Sequence, residues 1–382
     1  MRCEMNYAPA KCWRQSQPME THSRLTGGPK VCWQNKETMK INPYIRINPR
    51  TEPRVFRPPA LLLALALAAV PALTLKAADD AQPPAQPAAQ VASQAAPEKP
   101  DPLPLHQIEG SGGIFSTLSA YIVNPPRNGE AVGRPSVGFA YINLGSDKDL
   151  EAFTITESPF KRLELGYGWD HLSLGDLPQA LRNAGLVNYH EDEVQLHNFN
   201  ARLQILKEGE FDQKWIPALT AGVHYKYNDG ITEVRNEVTA GAGTDLLGQH
   251  GLSREQGVDY TLYASKLFTQ LPRPVLLELG GRATEAVWDG LGGFTHSYSA
   301  VFEGNVVVFI TSKLALAAEY KEQPRNYQPV GNLVKREGDW ATLDTAYVVN
   351  KHLTLAVGYG HFGNVLNHQA NGVWGFTTKW EF

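Results

Sequence analysis

Twelve ionisable residues recur at alternate positions of extended stretches: Glu164, Asp170, Arg202, His224, Lys226, Glu278, Arg282, Glu303, Glu319, Lys321, Asp344 and Lys379. None lies in a catalytic motif. The chain has no G-x-S-x-G, no H-E-x-x-H and no phosphate-binding loop. His361 and His368 flank the last long loop, but no carboxylate set accompanies them as a metal site would need. His296 and Ser297 are adjacent, so on a strand they face opposite sides and cannot act as a hydrolytic pair. The residue types therefore point away from an enzyme, and no cofactor motif is present. Together the twelve could line a narrow polar conduit whose mixed charge selects solutes by size and sign. The plainer reading is that they pair with one another to fill a small barrel.

Either reading needs strands with two unlike faces. The last eleven residues, GVWGFTTKWEF, place Trp374, Phe376, Trp380 and Phe382 on one face, with Gly375, Thr377, Lys379 and Glu381 on the other. WIPALTAGVHYKYN alternates Trp215, Pro217, Leu219, Ala221, Val223, Tyr225 and Tyr227 with Thr220, Gly222, His224, Lys226 and Asn228. RLELGYGWD sets Leu163, Leu165, Tyr167 and Trp169 against Glu164, Gly166, Gly168 and Asp170. Twelve such stretches run from Ser136 to the C-terminus, and each fits a period of two better than 3.6. The fold class expected for residues 135–382 is all-β: a transmembrane antiparallel up-and-down β-barrel of about twelve strands, with fourteen as the alternative.

Connectors give an independent check. Tight joints such as SPFK, TSK and NK alternate with long ones such as 174–193, 229–257 and 323–339. Outer-membrane barrels have short turns at one end and long loops at the other, and Greek-key sandwiches have no such rule. Both termini then fall at the tight-turn end, which requires an even strand count. Residues 108–134 are accordingly not a thirteenth wall strand; they fold into the lumen as a plug or lie beneath the barrel. Within one long loop, Gly175–Gly185 reads as a short helix packed over the mouth, with Asp176 as N-cap and Leu177, Leu181 and Ala184 on one face.

The N-terminal 107 residues have another character. All four methionines and all three cysteines lie in the first 39. Residues 39–77 have a basic stretch, the apolar run ALLLALALAAVPALTL and small residues after it, which is a secretory signal. Met39 reads as the initiator and 1–38 as an extension, an unusually long basic region being the alternative. Residues 78–107 form a Pro/Ala-rich tether. After residue 78 the chain has 23 Lys+Arg against 35 Asp+Glu, a net of −12, which makes it a poor nucleic-acid binder. Its charged fraction of 19% and negative mean hydropathy exclude a helical membrane protein. Trp169, Trp215, Trp288, Trp340, Trp374 and Trp380 lie in or beside strands, as an interfacial girdle requires.

WIPALTAGVHYKYND, DYTLYASKLF, LLELGGRATEAVWDGLGGF, LALAAEYKEQPRN and NKHLTLAVGYGHFGN together resemble, in order, blocks of an exported bacterial family, domain of unknown function 3034. The likeness runs from about Ile108 to the C-terminus. It implies an outer-membrane protein and supplies no site residues. GFTTKWEF is similar to the terminal aromatic signal read by the barrel-assembly machinery of Gram-negative bacteria, with Trp374, Phe376, Trp380 and Phe382 as its aromatics. The expected partners are thus outer-membrane lipids, that machinery and a small solute, with no nucleic acid. The expected role is porin-like passive transport. A closed barrel acting through its surface loops is the alternative, and a lipid-modifying enzyme ranks last.

Overall fold

Along Ala218–Asp229, the residues Ala218, Thr220, Gly222, His224, Lys226 and Asn228 are shielded, while Val223 and Tyr225 between them are exposed. This is the two-residue period of a pleated strand whose faces meet different surroundings. The computed structural model describes residues 105–186 and 192–382. The readings of 1–38, 39–77 and 78–104 lie outside the described residues. Twelve wall strands follow one another: β1 (Ser136–Gly145), β2 (Lys148–Phe160), β3 (Leu163–Ser173), β4 (Glu193–Leu206), β5 (Ala218–Asp229) and β6 (Gln256–Phe268). The other six are β7 (Val275–Ala286), β8 (Phe294–Phe309), β9 (Leu314–Lys321), β10 (Trp340–Val348), β11 (Leu353–His361) and β12 (Val373–Glu381).

Each pairs antiparallel with its chain neighbours, and β12 pairs with β1 from Trp374↔Asn143 to Glu381↔Ser136, closing the ring. The fold is a closed twelve-stranded antiparallel up-and-down barrel. Two further pairs, Leu105–Gln107 with Ser111–Gly113 and Asn364–Val365 with His368–Gln369, stand apart from the wall. At the seam, Phe139 meets Phe376 at 5.8 Å and Tyr141 meets Trp374 at 5.7 Å between ring centres. The terminal aromatics therefore help to close the ring by packing on the first strand.

A belt of large apolar side chains surrounds the barrel, from Ile155 and Phe199 through Leu279 and Phe302 to Leu343, which is 68% exposed. Water-soluble monomers rarely expose contiguous apolar patches beyond a few hundred Å². A ring of this extent is the hydrocarbon-facing surface of a transmembrane barrel. Phe160, Trp215, Trp380 and Phe382 are exposed toward the tight-turn end, and Tyr359 and Trp374 toward the other. The tryptophan reading needs correction at two positions. Trp288 and Trp340 are buried, because Trp288 belongs to a loop folded into the mouth and Trp340 stacks on Phe362 at 4.4 Å.

The long loops build an apolar cap. Helix α1 (Leu177–Asn183) contributes Leu177 and Leu181, while the exposed Ala184 takes no part. Asp176 precedes α1 without capping it; its carboxylate instead accepts hydrogen bonds from Lys148 and Asn367. Two helices that periodicity did not reveal, α2 (Ile231–Ala242) and α3 (Leu246–Gln249), add Val234, Val238 and Leu247. These pack with Trp288, Leu291, Phe294 and Leu366 in one buried cluster.

A buried carboxylate from another long loop meets the Trp288 backbone. Glu337 Oε1 accepts the Trp288 backbone N–H at 2.7 Å, while its Oε2 is buried without a partner. Burial holds its carboxyl well above the usual carboxylate range, the Trp288 hydrogen bond opposes this, and nearby Asp289 adds to it. A raised carboxyl stabilises the folded cap fully below the ordinary carboxylate pKa, and this contribution is lost as pH rises through the raised value. Amide exchange in 287–294 and 323–339, corrected for intrinsic rates, should therefore be slower at pH 5 than at pH 8. Glu337→Gln should remove that difference.

Candidate functional site: a plugged lumen

Residues Leu105–Val123 lie inside the barrel and are buried throughout. The plug begins earlier than the tether boundary read at residue 107, because Leu105–Gln107 already pairs with Ser111–Gly113. Small residues on the inward faces of β1, β3 and β12 make room for it. A Cβ on Gly166 would stand 1.8 Å from the Gly110 carbonyl oxygen, and one on Gly375 would stand 2.7 Å from the Phe115 ring. Gly110 itself has φ +80°, and a Cβ there would strike the Tyr167 backbone. Valine suits a strand, so Gly166→Val should leave the wall intact and expel the plug. Proteolysis within 105–123 would then become fast in folded barrels, and continued resistance would contradict the packing described here.

Polar wall side chains hold the plug backbone. Glu164 accepts N–H groups from Gly112 and Val123 at 3.1 and 2.7 Å, and Arg202 donates to Glu164 at 2.8 Å and to the Gly112 carbonyl at 3.0 Å. Glu319 receives the successive N–H groups of Phe115, Ser116 and Thr117 at 3.2, 3.1 and 2.8 Å. Such a run of backbone donors is a nest for an anion, filled here by a wall carboxylate. Asn200 donates to the Glu109 carbonyl at 2.9 Å, and Gln204 donates to that of Ala120 at 3.0 Å. Glu278 gathers the hydroxyls of Ser119 and Ser265 and the Asn305 amide.

At the centre, Arg282 grips Glu109 with two parallel bonds of 2.6 Å, and Lys226 pairs with the same carboxylate. Asp259 lies 2.8 Å from Lys226 and 3.0 Å from Arg282. Arg282 reaches Glu303 at 2.9 Å, and Lys321 reaches Asp289 of the infolded loop at 2.6 Å. All these groups are at most a few per cent exposed. A buried charge is tolerable only when paired and hydrogen-bonded, and this network meets that condition.

Every one of the twelve candidate lumen residues is buried. Arg202, Lys226, Arg282, Glu303, Glu319 and Lys321 join the plug contacts or the central network, and Glu164 and Glu278 join them. His224 sits 3.9 Å from Glu109, with neither ring nitrogen hydrogen-bonded. Asp170 is buried with Oδ1 unpartnered; Asp344 accepts from Thr342 at 2.8 Å; Lys379 pairs with Glu381 beside it. Among the described residues no group of three His, Cys, Asp or Glu side chains could hold a metal ion.

Three central residues, Glu109, Asp259 and Asp289, escaped the sequence reading, the last because it lies in a loop that strand alternation does not place. Asp259 was legible, since it alternates with the outward Val258 and Tyr260. Glu109 carried a weaker signal, as the one charged residue between His106 and Arg127.

Among solved structures the chain is similar to the outer membrane protein Omp33 of Acinetobacter baumannii, at 8% identity and TM-score 0.33, over 66% of this chain and 99% of that one. It is similar to the NanC porin at 10% and 0.36, over 65% and 98%. The outer membrane phospholipase A of Escherichia coli gives 11% and 0.33, over 65% and 94%. Likeness this remote concerns barrel shape and says nothing of activity. Comparison with curated proteins found no match. The family model described as a protein of unknown function, DUF3034, matches residues 104–377, from the plug into the last strand, and the chain belongs to that family.

Proposed function

We propose that this protein is a gated, non-enzymatic conduit of the Gram-negative outer membrane: a polar barrel held shut by its own N-terminal segment. One observation carries the reading. Around Glu109, the wall and its infolded loop supply three cations, Lys226, Arg282 and Lys321, and three anions, Asp259, Glu303 and Asp289. Without the plug these balance, and water could hydrate them. A segment needed permanently to neutralise the wall would leave a net charge behind on departure. The solute would be small and polar, selected by the mixed charge. The tight-turn end, with both barrel termini, would face the periplasm, and Trp374, Phe376, Trp380 and Phe382 would be read by the assembly machinery.

The apolar cap favours a second reading, a permanently closed barrel that acts through its loops. Planar-bilayer recording separates the two. The intact protein should pass no steady current, and a variant lacking residues 105–123 should conduct. Silence from that variant, once shown to be folded, would favour the closed barrel. Steady current through the intact protein would contradict the plug as gate.

A further inference from the structure

At the tight-turn end, between the plug and β7–β11, lies a cavity of about 270 Å³. Its lining departs from the rest of the lumen. Ile114 and Phe115 enter from the plug, Val307 from β8, and the small side chains of Ala317, Ala346 and Ala356 from the next three strands. Larger aliphatic side chains at these alanines would fill the space. Instead the plug leaves a mostly apolar chamber, with the wall carboxylates Glu278 and Asp344 at its inner end, further along β7 and β10 from the tight turns than Leu276 and Ala346. Thr311, Ser312 and Lys313 of the exposed β8–β9 turn also line it, so the chamber reaches the surface beside a cation.

We propose that this chamber binds one single-chain anionic amphiphile, with its tail among the alanines and its head at Lys313. An apolar cavity stays dry and takes apolar ligands, and at roughly 30 Å³ per water-sized unit this one holds about nine heavy atoms. Ligand sites are characteristically apolar concavities with a few polar groups fixing orientation. The inference stands apart from the gating proposal, since it requires no movement of the plug.

Equilibrium dialysis of radiolabelled decanoate against the processed chain in amphipol, with empty amphipol as blank, tests it. Saturable binding of one decanoate per barrel is expected. Ala317→Phe and, separately, Ala356→Leu should each weaken it about tenfold by filling the chamber. Lys313→Glu should weaken decanoate about fivefold and leave decanol unchanged. Heat-modified electrophoretic mobility would verify that each variant is folded. Three results would overturn the assignment: no saturable binding above the blank, filled variants that bind like the wild type, or binding that appears only once residues before Leu105 are removed. The last would mean that the chain itself occupies the chamber.

Discussion

Arg282→Met should destabilise the folded barrel by about 3–5 kcal/mol, the usual cost of removing one partner from a buried ionic cluster. Glu109 would lose its paired 2.6 Å bonds, and Asp259 and Glu303 would each lose a cation. Four carboxylates would then share Lys226 and Lys321. Denaturant unfolding in detergent would measure the loss. Glu109→Gln should cost less, because it leaves the surrounding charges balanced. The double variant should be more stable than the two single losses predict by addition, since the groups are in contact. Strict additivity would mean that Arg282 and Glu109 do not meet in solution.

The second large effect lies on the other face. Leu343 is 68% exposed in the middle of β10, paired across the wall with Ala318 and Tyr359. If that face meets hydrocarbon, Leu343→Arg should cost about 2–4 kcal/mol, the cost of arginine near the bilayer midplane. In water the same substitution at so exposed a site would fall within about 0.5 kcal/mol. Reversible folding into phospholipid vesicles gives the number directly. A near-zero cost would remove the membrane from the account.

Much of this architecture was legible in the chain because a barrel in lipid imposes one rule on every strand. Leu219, Val223 and Tyr225 must point one way and Thr220, His224 and Lys226 the other, so a period of two survives without tertiary information. Connector parity then supplied the even strand count and set 108–134 apart from the wall. The lumen was harder to read. Alternation said that Arg202, Lys226 and Arg282 face inward, but it gave no partners, because the plug that meets them lies at least 79 residues upstream of Arg202, counted from Val123. Glycine signals were ambiguous in the same way. Gly166 and Gly168 read as ordinary inward residues, and only the approach of the plug backbone, Gly110 to the first and Glu109 and Ile108 to the second, explains why no side chain is tolerated there. Trp288 and Trp340 misled because tryptophan near a strand end suits both a membrane interface and a buried cap.

That Leu105–Val123 fills the lumen is tested most directly by a cross-link. The Ser119 and Ser265 hydroxyls both reach Glu278 Oε1 from opposite sides of the plug–wall boundary. In the chain from Met39 onward, which has no cysteine of its own, Ser119→Cys with Ser265→Cys should form a disulfide in folded barrels when copper phenanthroline and dissolved oxygen take up the two electrons. Two free thiols that a water-soluble maleimide labels at once would show that the segment lies elsewhere.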